Sequence, residues 1–221
     1  MTPFLHFWEL VLGTILALLP VINPLASAPA FLAMTDRLSP AARNRELLLA
    51  CIYMVGILVT FLVSGSLIMR FFGISIPGLR IAGGLMVAGI GSSMLVTPQP
   101  DASAEPVAAT RSDIAFSPLA MPMLSGPGSI AATLGFTSLA TGWLDYVALI
   151  LGIVVVAVIA YATLRLSGSI VRVIGQTGMN ALTKVMGFLL LCIGIQFIVN
   201  GILGVATDPV LLRSIRDTLH R

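Results

Sequence analysis

Uncharged, strongly apolar runs recur along the chain and are separated by short polar segments. Each run comes near or exceeds the roughly 20 residues that an α-helix needs to cross a bilayer. The runs are continuously apolar and do not alternate with polar residues, which favours helices over the strands of a membrane barrel. This pattern predicts six spanning helices, within Leu10–Thr35, Leu47–Met69, Ile81–Pro100, Ile114–Leu144, Tyr146–Leu164 and Val185–Thr207.

Proline and glycine interrupt the first and the fourth of these runs. The first carries three prolines around Asn23, and the fourth carries a Gly-Pro-Gly triplet at 126–128. Proline has no backbone N–H and clashes with the preceding turn, so nearby carbonyls lose their helical partners. Leaving such groups bare in hydrocarbon costs several kcal/mol each, so they must face other helices, water or a solute. We therefore expect helices 1 and 4 to be broken.

A polar, proline-rich stretch divides the chain into two halves with three predicted helices each. The expected organisation is a first repeat at 1–96, a flexible linker at 97–113, a second repeat at 114–207 and a polar tail at 208–221. The third helices of the two halves can be aligned with Arg80 on Lys184 and Gly83 on Gly187. Because a second copy of three helices enters the bilayer from the opposite face, duplication predicts an inverted repeat. Chance similarity between apolar helices is the competing explanation.

Composition assigns the chain to the integral membrane proteins. Apolar residues make up 57% of it and charged residues 10%, with a mean hydropathy of +1.05, which leaves too little polar surface to coat a soluble globule. Anionic lipid and topology account for the net charge of +3, so we expect no nucleic-acid partner. Cys51 and Cys192 lie inside apolar runs, which argues against a disulfide or a metal pair, and no cofactor is expected.

Positive charge predicts the orientation of the helices. Seven arginine and lysine residues follow helices 1, 3 and 5, and at most five lie on the opposite side. Because cytoplasmic loops carry the excess of positive charge, we expect both termini outside the cytoplasm.

The broken segments supply the candidate solute-binding residues. A half-helix that begins at a break presents free N–H groups and the positive end of its dipole, which suit a carboxylate or another small anion. The candidate set consists of the short polar side chains, prolines and glycines at the breaks: Asn23, Pro24, Ser27, Ser125, Gly126, Pro127, Gly128 and Ser129. The alternative is that these prolines and glycines only produce kinks that help the helices to pack.

Two further polar residues are candidates for gating or for assisting the solute. Arg80 has apolar neighbours on both sides, so it either faces the bundle interior or reaches the interface from a helix end. Gln196 shares a helix face with Asn200, four residues on, and either lines the cavity or hydrogen-bonds to another helix.

Several motifs resemble those of the MarC family of bacterial inner-membrane proteins. The matching segments are Phe72–Gly84, Asn23-Pro24-Leu25, Pro118–Pro122, Gly126-Pro127-Gly128 and Met186–Leu190, and the resemblance covers nearly the whole chain. It implies six helices, a multi-pass protein of the inner membrane, a place in the superfamily of LysE-type exporters and the movement of neutral amino acids. In that membrane the charge distribution puts both termini in the periplasm. Asn23, Pro24, Arg80 and the 126–128 triplet carry over by position.

The favoured function is a secondary transporter that holds a small solute between the two broken helices. The chain has no phosphate-binding loop of the Gly-x4-Gly-Lys-Ser/Thr type, so any energy would come from an ion or solute gradient or from a separate subunit. Its only histidines, His6 and His220, lie at the extremities, so we expect no intramembrane enzyme. Two alternatives stay open: a channel, and a structural or regulatory protein that binds a partner through glycine-rich faces. A homo-oligomer is compatible with each of these.

Overall fold

The computed structural model describes residues 3–96, 115–137 and 140–207, and this part of the chain contains helices and no strands. The predicted linker at 97–113 and the predicted tail at 208–221 lie outside the described residues. In chain order the elements are α1 (Pro3–Ile22), α2 (Pro24–Thr35), α3 (Pro40–Phe72), α4 (Ile76–Leu95), the π-helical segment π1 (Ala115–Leu124), α5 (Pro127–Phe136), α6 (Trp143–Arg165) and α7 (Ser167–Ala206).

Five of the described helices are long and apolar enough to span a bilayer, so the chain is an all-α membrane protein. They are α1, α3, α4, α6 and the Thr177–Ala206 part of α7. The sequence predicted six such helices. The fourth run accounts for the difference, because it contains two elements of only ten residues each, π1 and α5.

Prolines explain why the fourth run is not one continuous helix. Ser117 and Met121, each directly before a proline, have extended backbone angles inside π1, with φ near −130° and ψ near 120°. The ring of a following proline disfavours helical backbone at the preceding residue. The first run is likewise divided, because α1 ends at Ile22 and α2 begins at Pro24.

Several helices begin before the apolar runs that predicted them. Ser39 caps α3, which starts at Pro40 rather than 47, and Ser75 caps α4, which starts at Ile76 rather than 81. In each case the serine hydroxyl accepts a hydrogen bond from a backbone N–H of the first turn. Hydropathy marks where a helix can contact lipid, whereas capping residues mark where it begins.

The last helix bends before its spanning part. Gly175 has φ 70° and ψ 170°, a conformation that is essentially restricted to glycine. The sequence predicted the final span from Val185, but the apolar helix after the bend runs from Thr177 to Ala206.

The two halves interdigitate instead of forming separate units. α4 packs along α7, α1 and α3 both pack against α6, and π1 packs against α3. The broken elements also cross between the halves, since α5 lies against α4 and α2 lies against α7. The core therefore forms between the halves, and large buried side chains come from both, among them Leu18, Met54, Leu58 and Ile153.

Candidate functional site

Asn23 forms the break between α1 and α2. Its backbone is left-handed, with φ 45° and ψ 61°, a region in which asparagine is better tolerated than most residues. Its N–H still donates to the carbonyl of Leu19, at 2.9 Å, which completes α1. Its side-chain oxygen accepts a long hydrogen bond of 3.4 Å from the N–H of Ala26, which caps α2. One residue thus ends one helix and starts the next.

The break between π1 and α5 is built differently. The N–H of Ser125 donates to the carbonyl of Ala120, at 2.8 Å, and Gly126 then continues in an extended conformation before Pro127 starts α5. No side chain caps the N-terminus of α5, and the hydroxyl of Ser129 donates to the carbonyl of Gly126, at 2.8 Å. The first amides of α5 therefore lack the side-chain acceptor that Asn23 supplies to α2.

Both breaks line one partly open cavity of about 350 Å³. Its walls come from α1, α2, α4, α5 and α7 and from the end of π1. The lining residues are Val21, Ile22, Asn23, Ala26, Ser27, Ala30, Ile90, Met94, Met123, Gly126, Gly128, Ser129, Thr183 and Leu190. Five of the eight proposed binding residues are therefore brought together: Asn23, Ser27, Gly126, Gly128 and Ser129.

The cavity is apolar with a few polar groups and no charged side chain among its lining residues. The side-chain nitrogen of Asn23 is buried and has no hydrogen-bond partner within the described part of the chain. α2 and α5 both begin at this cavity, so the positive ends of two helix dipoles lie beside it. Unpaired N–H groups near two helix N-termini favour an oxygen-rich, negatively charged group of a ligand.

The remaining binding candidates lie beside the cavity without lining it. Pro24 and Pro127 occupy the first turns of α2 and α5, where a missing N–H costs nothing. The hydroxyl of Ser125 is buried and, among the described residues, has no partner. These three residues shape the breaks.

Gly128 lines the cavity and also allows a close contact between helices. A Cβ there would lie 2.8 Å from Cγ2 of Val87 and 3.2 Å from Cγ1 of Val21. Its missing side chain therefore allows α5 to pack closely against α4 and α1. The cavity lies beside this contact.

The two gating candidates lie away from the cavity. Arg80 is partly exposed in the second turn of α4, which corresponds to the helix-end placement. Gln196 is exposed on α7, and its side-chain N–H donates to the side-chain oxygen of Asn200, at 2.9 Å. Neither residue lines the cavity.

Sequence reasoning missed the contribution of α4 and α7 to the cavity. Thr183 is the one polar lining residue outside the two breaks, and Ile90, Met94 and Leu190 complete that wall. No local signal distinguished Thr183 from the other threonines, because its position depends on how α7 packs.

A polar connection at one end of the bundle was also missed. The carboxylate of Asp145 accepts hydrogen bonds from the N–H and hydroxyl of Thr141, both at 2.8 Å, and from the N–H of Gly142, at 3.1 Å. Its other oxygen lies 3.5 Å from Nε2 of His6. Asp145 therefore caps α6 and contacts α1. Within the described residues, no three histidine, cysteine or acidic side chains are grouped to hold a metal ion.

Comparisons with known proteins agree with the helical, membrane-spanning architecture. A family model described as MarC family integral membrane protein matches residues 8–206. The inner membrane protein MarC of Citrobacter koseri is 44% identical over 204 residues, which cover 86% of this chain and 92% of that protein. The inner membrane protein MarC of Escherichia coli strain K12 is 45% identical over 204 residues, with the same coverage. No solved structure matches the chain.

Proposed function

The chain belongs to the MarC family of integral membrane proteins and lies in the inner membrane, and we propose that it is a secondary transporter of small solutes such as neutral amino acids. The solute occupies the cavity between the two breaks and is exposed to each side of the membrane in turn. The observation that carries this proposal is the shared cavity itself. Two breaks far apart in sequence line it together, with an unpaired amide donor and no charged lining side chain.

The chemistry of the cavity suits a zwitterion with an apolar side chain. The Asn23 amide and the uncapped N-terminus of α5 supply donors for a carboxylate. The hydroxyls of Ser27 and Thr183 can accept hydrogen bonds from an ammonium group, and Met123 and Ile90 provide apolar contact. A solute with net charge would be disfavoured, because no lining side chain can compensate it.

The helix boundaries support an inverted repeat. α2 and α5 begin at Pro24 and Pro127, and α3 and α6 begin at Pro40 and Trp143, so both pairs of starts are separated by 103 residues. The inter-element contacts follow the same rule: α1 packs on α6 as π1 packs on α3, and α2 packs on α7 as α5 packs on α4. Such reciprocity is expected of two copies related by a pseudo-twofold axis.

The glycine contacts between α4 and α7 also support the repeat. A Cβ at Gly91 would lie 2.6 Å from the carbonyl oxygen of Gly187, and a Cβ at Gly194 would lie 2.7 Å from that of Gly84. Gly91 and Gly194 are 103 residues apart, and so are Gly84 and Gly187. The two contacts are therefore equivalent under the proposed repeat. This register pairs Gly84 with Gly187, one residue away from the alignment that paired Arg80 with Lys184.

The cavity is asymmetric with respect to this repeat, which supports alternating access. Ala30 and Val21 line it, whereas their counterparts at the same offset, Thr133 and Leu124, are fully buried. The cavity therefore lies near the end of α4 and the start of the spanning part of α7, and we infer that the equivalent space on the other side is closed. Exchanging the conformations of the two repeats would reverse this arrangement.

Under the proposed repeat, Arg80 belongs to the closed side of the protein, opposite the open cavity. Its counterpart at the same offset is Thr183, which lines the open side of the cavity. We place Arg80 at the opposite mouth, where its long side chain can reach the interface. The charge distribution makes the open side cytoplasmic and the Arg80 side periplasmic.

Counterflow in liposomes tests the proposal. Vesicles containing the purified chain and an unlabelled neutral amino acid should transiently accumulate the labelled form above equilibrium. Asn23→Gly keeps the left-handed backbone but removes the amide, so we expect about a tenfold lower rate in a folded protein. Thr60→Ala, which removes an exposed hydroxyl of α3, is the matched control and should transport normally.

Three outcomes would contradict the proposal. Failure of every neutral amino acid to accumulate would exclude the solute class, and equal rates for Asn23→Gly and wild type would exclude the site. Solute movement without transient accumulation would indicate a channel, since an open pore cannot couple efflux to uptake.

A further inference from the structure

The outer face of α7 carries an exposed seam that no described part of the chain covers. The side chains recur at alternating intervals of four and three residues, and all are exposed: Val185, Leu189, Cys192, Gln196, Val199 and Leu203. The opposite face of the same helix packs against α4 through Gly187 and Gly194. A spacing of 3.5 residues is that of the contact positions in a left-handed helix pair.

A polar pair lies at this seam within the spanning part of α7: Gln196 belongs to the seam, and Asn200 follows one turn later beside it. Gln196 and Asn200 hydrogen-bond to each other at 2.9 Å, about ten and six residues from the end of the helix at Ala206. That bond uses one donor of Gln196 and the oxygen of Asn200, which leaves the oxygen of Gln196 and the nitrogen of Asn200 free to bond elsewhere. Lipid chains offer no partner for these groups, so exposing them to lipid is unfavourable.

We propose that the outer face of α7 is the interface of a parallel homodimer, with Gln196 and Asn200 hydrogen-bonding across it. Two copies of one chain share the same orientation in the membrane, so their carboxamides lie at the same depth. Each carboxamide is both donor and acceptor, so the pair is self-complementary about a twofold axis. A polar residue at one contact position of an otherwise apolar seam fixes register and partner number.

The position of α7 in the fold agrees with this interface. In the most apolar 18-residue stretch of α7, only 17% of the residues are buried within the chain, compared with 44% in that of α6. α7 therefore has the larger surface without a partner. The cavity lies on the opposite side of α7, at Thr183 and Leu190, and stays open in the dimer. The inference is therefore independent of the transport proposal.

Cys192 provides a probe that the chain already contains. It is exposed in the seam one turn before Gln196, whereas Cys51 is buried. Oxidation of membranes with copper–phenanthroline should join two Cys192 side chains and give a species of twice 23.2 kDa on a non-reducing gel. Cys192→Ala should abolish it. Val158→Cys in that background, exposed on α6, is the matched control and should not cross-link.

The polar pair itself is tested by Gln196→Leu with Asn200→Leu. The cross-linked fraction at low protein-to-lipid ratio should fall about fivefold, while Gln196→Asn should retain most of it. An unchanged fraction in the double variant would overturn the role of the carboxamides. Absence of cross-linking at Cys192, or equal cross-linking at Val158→Cys, would overturn the interface. For a variant that expresses poorly, the number of subunits per nanodisc gives the same comparison.

Discussion

Asn23 combines three properties that few other residues could supply together. It adopts a left-handed backbone, caps α2 and leaves a buried nitrogen unpaired beside the cavity. An unpaired buried donor is costly to the folded protein, which is why such groups are rare outside functional sites. Ser125, at the second break, also carries a buried polar atom without a partner in the described chain. Each break thus carries an unpartnered polar atom, and the one of Asn23 belongs to a residue that lines the cavity.

Asp145 shows a structural use of charge at the residue level. Its carboxylate receives three hydrogen bonds at the start of α6 and faces His6 of α1. Asp145→Ala removes this cap, so we expect the midpoint of thermal unfolding in detergent to fall by about 2–4 °C. Glu9→Ala, which removes an exposed carboxylate near the same end of α1, should leave the midpoint unchanged. Equal effects of the two changes would show that the cap contributes nothing specific.

Among the elements, α4 and α7 depend most clearly on close backbone contact. One alternative that the sequence left open was a partner bound through glycine-rich faces. On α4, Gly84 and Gly91 contact α7 of the same chain, Gly83 contacts Ala131, and Gly89 has open space around it. The first three glycines therefore hold the two halves together, and they leave little of that face for another protein.

The packing of these two helices can be tested by adding one methyl group. Gly91→Ala and Gly194→Ala each push a Cβ into the backbone of the facing helix, so each should destabilise the protein by roughly 1–3 kcal/mol. Gly89→Ala has nothing within 4 Å and should be neutral or slightly stabilising. Thermal unfolding in detergent gives the comparison. If Gly91→Ala and Gly194→Ala lowered the stability of the protein by very different amounts, the reciprocal contacts would be contradicted.

The sequence predicted the elements unevenly, for identifiable reasons. Proline has a local and predictable effect, so the breaks near Asn23 and before Pro127 could be located without coordinates. Helix starts were placed late because hydropathy does not report caps such as Ser39 and Ser75. Thr183 could not be found, and the two roles of Gln196 could not be told apart, because both depend on which side of α7 packs against α4.

In the whole molecule, the cavity lies between interdigitated halves and is partly open. Its lining residue Ala30 is exposed, whereas Thr133, its counterpart in the proposed repeat, is fully buried. An alternating mechanism requires these two positions to exchange their exposure as the repeats move. A fixed pore would leave both positions accessible, and a purely structural protein would leave Thr133 buried.

Two-sided thiol labelling measures this exchange most directly. Ala30→Cys and Thr133→Cys are made separately in a Cys192→Ala background, which retains only the buried Cys51, and membrane-impermeant maleimide is applied to vesicles of each orientation. We expect Ala30→Cys to react from the cytoplasmic face and Thr133→Cys from the periplasmic face, with a transported solute raising one rate and lowering the other. A Thr133→Cys protein that transports but reacts from neither face, or reaction of both positions from one face, would contradict alternating access through this cavity.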